Sequence, residues 1–219
     1  MFSLLYKDIL LQKKLLVFGV VYIMIMIVAF NQAAEAMFIG SIVALTYMMT
    51  LTCCAYDDKN KTDVLLNSLP INKLVVVLSR YVSVFMFAAI AVVYYVAIAF
   101  VLKLIQFPFE AAVPTLEAII GGLVGLAFIN SVYFPIFFRL GYIKSKIVNF
   151  VLFFGVFLGL GSVIPSLAKK LDSTAQEGFV YFFTSLSEIQ IMAGMIAVII
   201  ILLSSSFALS LYFYKRREF

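Results

Sequence analysis

The residues of this chain that could do chemistry gather between Tyr56 and Arg80. There YDDKNKTDVLLNSLPINK sets Asp57, Asp58, Lys59, Lys61, Asp63 and Lys73 within 17 positions of an otherwise apolar sequence. Three carboxylates so close could ligate a divalent metal for phosphoryl transfer. Yet Lys59 and Lys61 lie among them and compete for the same oxygens, and the spacing fits no metal loop. The chain has no histidine, which removes histidine-dependent triads, rhomboid-like dyads and most zinc sites. The nearest approach to a phosphate-binding loop, Gly141 to Lys144 and Ser145, lacks the glycine directly before the lysine and the spacing that lets backbone amides wrap a phosphate. ATP is therefore not bound by that motif. Cys53 and Cys54 are neighbours, cannot form an ordinary disulfide, and read as two packed thiols. What is left for the polar island is contact with another molecule.

The elements that present the island are membrane helices. Apolar residues make up 65% of the 219 and charged residues 12%, with a mean hydropathy of +1.14, against about half apolar in soluble domains. Six runs lack Asp, Glu, Lys and Arg: 15–30, 36–56, 81–102, 118–138, 147–168 and 189–214. A helix rising about 1.5 Å per residue crosses a hydrocarbon core of about 30 Å in roughly 20 residues. The expectation is an all-α, polytopic protein of six transmembrane helices forming one domain over residues 1–219. A transmembrane barrel would show alternating segments of roughly ten residues, which are absent.

With the N terminus inside, 13 of the 16 Lys and Arg residues fall on the cytosolic side and Lys103, Lys169 and Lys170 outside, while the acids divide five to six. This predicts a multi-pass plasma-membrane protein with both termini cytosolic. The net charge of +5 then reflects anionic lipid at the inner face, and nucleic acid is not a partner. A rival reading takes Lys13 and Lys14, the run 15–30 and Ala34-Glu35-Ala36 as a signal peptide with its cleavage site. Cleavage would leave five spans, with one terminus outside.

Residues 1–14 read as an interfacial elbow helix: Phe2, Leu5, Tyr6, Ile9 and Leu10 share one face, with Ser3, Lys7, Asp8 and Gln12 opposite. The external segment 167–190 mixes charges with Phe179 to Phe183 and suggests short helices dipping into the interface. Gly155 and Gly159 in span five, like Gly121 and Gly125 in span four, lie one turn apart and permit close helix approach, within the chain or between chains. Asn130, Tyr133 and Asn149 are polar groups at membrane depth that suit helix-to-helix hydrogen bonds or a translocation path. Tyr94 and Tyr95 suit an interfacial belt. No ionisable residue stands in mid-span, where a coupled carrier would keep one.

Within the island, Asp57 and Asp58 end span two. Thr62 or Asp63 can cap a helix over residues 64–68 that Pro70 stops, and Asn72 can cap the next. That short helix carries Leu65, Leu66 and Leu69, which either pack onto the bundle or enter a groove on a separate cytosolic protein.

The stretches LLYKDILLQKK and YDDKNKTDVLLNSLPINKLVVVLSRY, each leading into a span, resemble the ABC type-2 permeases, in particular small bacterial members with six helices and no fused ATPase. The resemblance implies a non-enzymatic permease subunit of an ATP-driven exporter that pairs with a second permease chain as a homodimer or heterodimer. ATP and Mg would be bound by a partner ATPase subunit, and this chain would hold no cofactor. It also implies that segment 57–72 is the coupling helix that docks the ATPase, through Asp57, Asp58, Lys61, Thr62, Asp63, Leu65, Leu66, Leu69 and Pro70. Tyr6, Lys7 and Asp8 would belong to the elbow, and segment 167–190 would be re-entrant external helices before the last span. Phe-rich and Met-rich spans without buried charge suit a hydrophobic or amphipathic cargo such as a peptide, lipid-like compound or drug. The alternative is a membrane sensor or regulatory protein that binds a cytosolic partner through the same loop and transports nothing.

Overall fold

The computed structural model describes residues 2–30, 34–106, 114–148, 150–151 and 187–217. All regular structure among them is helical. Helix α1 (Phe2–Leu11) meets α2 (Lys13–Ala29) at Gln12, and the pair is bent by 59°. Then follow α3 (Ala34–Lys59), the short α4 (Thr62–Ser68), α5 (Lys73–Leu104), α6 (Leu116–Leu140) and α7 (Glu188–Arg216). Residues 142–148 are also helical, after a break at Gly141, whose φ of +79° is one that L side chains rarely adopt.

Four of these helices, α3, α5, α6 and α7, are long and apolar enough to cross a membrane, or five if the bent α1–α2 pair counts as one span. The expected six-helix count therefore stands as four or five among the described residues. Most of the fifth run, 147–168, lies outside them, as do Asn149, Gly155, Gly159 and the re-entrant helices expected over 167–190, of which only 187–190 are described. Helix α5, at 32 residues, is about 48 Å long, so it outreaches a hydrocarbon core of about 30 Å.

Sequence spacing explains which faces are buried. In α2, Gly19, Ile23 and Ile27 recur at i, i+4 and i+8 and are buried, and a Cβ at Gly19 would come within 3.1 Å of Leu45 Cδ1. That glycine lets α2 lie directly on α3. Tyr94 adds a hydrogen bond from its hydroxyl to the Leu16 carbonyl, at 2.7 Å. The first core cluster joins α2, α3, α5 and the first half of α6 around Phe38, Leu45, Phe87 and Tyr95. Tyr95 is fully buried, edge-on to Phe38, and is no belt residue. A hydrophobic bundle core claims it because position 95 continues the α5 stripe of Val84, Phe87, Ala88 and Ala91.

A second cluster packs Leu66 of α4 with Val77 and Tyr81 of α5, Phe134 and Phe138 of α6 and Tyr214 of α7. It lies at one end of the bundle, where α1, α4, the last turns of α3, α6 and α7 and the first turns of α5 come together. Gly121 and Gly125 face α3: Cβ atoms there would sit 3.4 Å from Ile39 and Val43, so this pair serves packing within the chain.

Candidate functional site

At that end three helices each turn a charged residue inward. Asp8 in α1 and Gln12 at its junction with α2 are one turn apart and buried; in α3, Asp57 continues the buried line of Met49 and Cys53; in α5, Arg80 falls between buried Val77 and Val84. Arg80 is the hub. Its Nη1 donates to Asp8 Oδ2 at 2.9 Å and to Cys53 Sγ at 2.9 Å, and its Nη2 pairs with Asp57 Oδ2. Lys7 Nζ reaches Asp57 Oδ1 at 2.6 Å and Asp8 Oδ1 at 3.5 Å, and Ser83 Oγ donates to Asp8 Oδ2 at 2.8 Å. Two cations thus meet two carboxylates and the site is neutral in sum. Only Lys7, with 34% of its side chain exposed, reaches solvent appreciably.

Gln12 closes the same corner by donating from Nε2 to the Met49 carbonyl at 3.0 Å, which fixes the elbow against α3. Of the polar face of α1, Asp8 and Gln12 are packed into the protein, Lys7 is partly exposed and Ser3 exposed, while Tyr6, Ile9 and Leu10 on the other face are exposed. A helix at a membrane surface can expose apolar groups to lipid, so its polar groups are free to pair inside.

Beside this corner, α4 starts at Thr62, with Lys61 as its N-cap residue in the left-handed region (φ 49°) and no side-chain cap bond. The expected cap at Thr62 or Asp63 is thus displaced to Lys61. Leu69 is extended, as the residue before Pro70 must tend to be, and Asn72 Oδ1 caps α5 by accepting from the Leu74 amide at 3.0 Å. The three leucines separate. Leu66 is buried in the second core cluster, whereas Leu65 and Leu69 are 61% and 52% exposed, with Val64 exposed beside them. Asp58, Lys59, Asn60 and Lys61 are exposed, and Asp57 has its carboxylate occupied by Arg80 and Lys7.

Among the intramembrane polar groups, Asn130 is buried and donates from Nδ2 to the Leu126 carbonyl of its own helix at 2.8 Å. Its Oδ1 has no hydrogen-bond partner among the described residues, and it borders a small cleft with Tyr81, Phe85, Phe134 and Leu203. Tyr133 is fully buried against Tyr47 and Phe137. The Tyr81 hydroxyl shares hydrogen bonds with Ser206 at 2.6 Å and Ser210 at 2.8 Å, joining α5 to α7.

This arrangement holds helices in fixed relation and offers no nucleophile with its base. Among the described residues no three His, Cys, Asp or Glu side chains come together as a metal site would require. A family model described as "ABC-2 family transporter protein" matches residues 3–215. The chain belongs to the ABC-2 transporter family. It is accordingly a multi-pass membrane transport subunit rather than an enzyme, of a family that normally works with an ATP-binding subunit. Neither curated proteins nor solved structures gave a significant match.

Sequence reading singled out Lys7, Asp8 and Asp57 and missed Arg80, Ser83, Gln12 and Cys53 as their partners. The signal was present in the phase of the pattern. Val77, Arg80, Val84, Phe87 and Ala91 recur at spacings of three and four, which puts Arg80 on the buried stripe of the permease's α5.

Proposed function

We propose that this permease is the transmembrane subunit of an ATP-driven exporter and that it docks a separate ATP-binding subunit through α4. The observation that carries the reading is the exposed apolar face of α4. Val64, Leu65 and Leu69 stand out on a seven-residue helix that Leu66 fastens to the bundle. Exposed leucines at the charged end of a membrane protein call for a partner, and a groove on the ATPase would cover them as a helix-in-groove contact does. Lys61, Thr62 and Pro70 shape the two ends of this helix, and Asp57 belongs to its support rather than to its face. The excess of Lys and Arg on the loops that flank α4 favours a cytosolic position for this end, with both termini on that side of the plasma membrane.

In this mechanism ATP, held with Mg by the partner, draws two ATPase subunits together, and α4 passes the displacement to α3 and α5. Arg80, Asp57 and Asp8 carry it on to α1, because a buried ion network moves as a unit or breaks at high cost. A second permease chain would complete the path. Asn130 and Tyr133 would line it or brace its wall, and the cargo would be hydrophobic or amphipathic. The test replaces Leu65 and Leu69 together with aspartate. Loss of the ATPase subunit on copurification, with an unchanged melting midpoint, supports the assignment; full retention of the subunit and of transport-stimulated hydrolysis rejects it.

A further inference from the structure

The end of the bundle where α6 and α7 finish carries a second surface that the docking helix does not use. Arg139 closes α6, Lys144 and Lys146 follow on the helical residues 142–148, and Lys215, Arg216 and Arg217 close α7. The two helix ends are in contact. Arg139 Cζ lies 5.2 Å from the centre of the Phe213 ring, and Phe138 meets Tyr214 edge-on at 5.3 Å. Arg217 and the carboxylate of Asp58 both border Gly141, so that cation has an acid close by. The others, Arg139, Lys144, Lys146, Lys215 and Arg216, are exposed.

Two features decide what such a surface fits. First, both arginines are held by rings: Arg216 Cζ stands 4.4 Å over Tyr212, as Arg139 does over Phe213. Stacking orients a guanidinium while leaving its N–H edge open, and that edge matches a phosphate. Second, the neighbours of these cations are bare apolar side chains. Leu140, Ile143, Ile147 and Tyr212 are all exposed, in sequence between or beside the charged positions. A lipid presents an anionic head group and acyl chains together, which matches cations interleaved with exposed isoleucines at 143 and 147.

We propose that the cytosol-facing ends of α6 and α7 form a binding surface for anionic phospholipid, with Arg139 and Arg216 on the head-group phosphate and Ile143 and Ile147 along the acyl chains. The side of the membrane rests on the orientation argued above; the lipid preference itself does not.

The test uses the full chain purified in mild detergent, titrated with phosphatidylglycerol or phosphatidylcholine and read by native mass spectrometry. Wild type should favour phosphatidylglycerol. R139Q/R216Q should bind it about 25-fold more weakly, two cations each contributing roughly a fivefold factor at a membrane surface. K13Q/K103Q removes the same two positive charges elsewhere and should stay within about threefold of wild type, and R139K/R216K, which keeps the charges, should bind between wild type and the glutamine variant. Equal loss in both glutamine variants would mean bulk charge alone and overturn the proposal. So would displacement of the lipid by millimolar inorganic phosphate, which marks a soluble-anion site. Retained lipid with loss of the ATPase subunit in R139Q/R216Q would make the surface a protein contact and overturn it equally. A lower melting midpoint in R139Q/R216Q is checked with R139K/R216K, whose failure to keep the preference at wild-type stability also counts against it. Because no step of the assay needs ATP or transport, its failure is distinct from failure of the docking assignment.

Discussion

Replacing Arg80 with methionine removes the group that touches both buried carboxylates and leaves the shape of the site roughly filled. In the intact protein Asp8 and Asp57 have side chains 1% and 6% exposed, each in contact with the Arg80 guanidinium. Charges about 4 Å apart attract by about 4 kcal/mol at an effective dielectric of about 20, but desolvating each ion costs several kcal/mol, so the intact network has a small net effect. The cost appears when one partner goes. R80M leaves two buried carboxylates with only Lys7, and stranding a buried charge destabilises by about 3–5 kcal/mol. Lys7→Met should cost about 1 kcal/mol or less, because Lys7 is partly solvated and Arg80 still serves both acids. Adding Asp8→Asn and Asp57→Asn to R80M should recover most of the loss, since a neutral polar site no longer holds stranded charge. The assays are denaturant unfolding in detergent and the rate at which a maleimide labels the native thiols Cys53 and Cys54, both buried, the first in contact with Arg80. Labelling should accelerate in R80M and return towards wild type in the triple variant. An R80M cost equal to that of Lys7→Met, or a triple variant less stable than R80M, would refute the reasoning.

Other outcomes follow from single contacts. Leu66→Asp should lower stability by about 2–5 kcal/mol because it buries an unpaired charge in the second core cluster, while Leu65→Asp should leave the melting midpoint within about 1 kcal/mol of wild type. Tyr81→Phe loses the hydroxyl shared with Ser206 and Ser210 and should cost about 1–2 kcal/mol, whereas Ser206→Ala alone should cost less because Ser210 keeps its bond. Gly19→Val should destabilise by about 1–3 kcal/mol, since its Cβ would already press on Leu45 before the branches are placed; thermal melts of the two proteins compare directly. Asn72→Ala should cost about 1 kcal/mol through loss of the α5 cap, with hydrogen exchange rising first at the Leu74 amide.

Composition and run length were enough to read the helical class, the membrane setting and four of the spans, because hydropathy over 20 residues is a strong signal that packing seldom overrides. The Asn72 cap and the stop before Pro70 were legible for a local reason: both are set by one side chain and its nearest backbone. The buried ion network is not legible in run lengths, which place Asp57 with the docking segment and Asp8 with the elbow but do not pair them. Asp8, Asp57 and Arg80 lie far from one another in sequence, and only the phase of each helix shows that all three turn toward one point. Treating each helix as a stripe rather than a run would have put Arg80 beside Val77 and Val84 on the inward face. The partition of Leu65, Leu66 and Leu69 was out of reach in another way. On seven residues the direction of the helix is set by where its ends are tied, at the left-handed Lys61 and the extended Leu69, and neither conformation is written in the hydrophobic pattern.

The buried network and the exposed leucines answer to the same requirement. In the docking role proposed for it, α4, seven residues long, has too few internal hydrogen bonds to keep its own shape under load, so force applied at Leu65 and Leu69 would pass through whatever holds its flanks. One flank is the last turn of α3, fixed by Asp57; the other is the start of α5, fixed by Arg80; and the pair between them closes the loop that α4 spans. Packed apolar contacts also resist a shift, since a gap of about 0.5–1 Å forfeits a quarter to a half of each contact, but they are non-directional. A guanidinium shared between two carboxylates loses its geometry within an ångström or so. On this argument charge is retained in a costly position because it couples α1, α3 and α5 at one register, and the apolar face of α4 is useful only while that register holds.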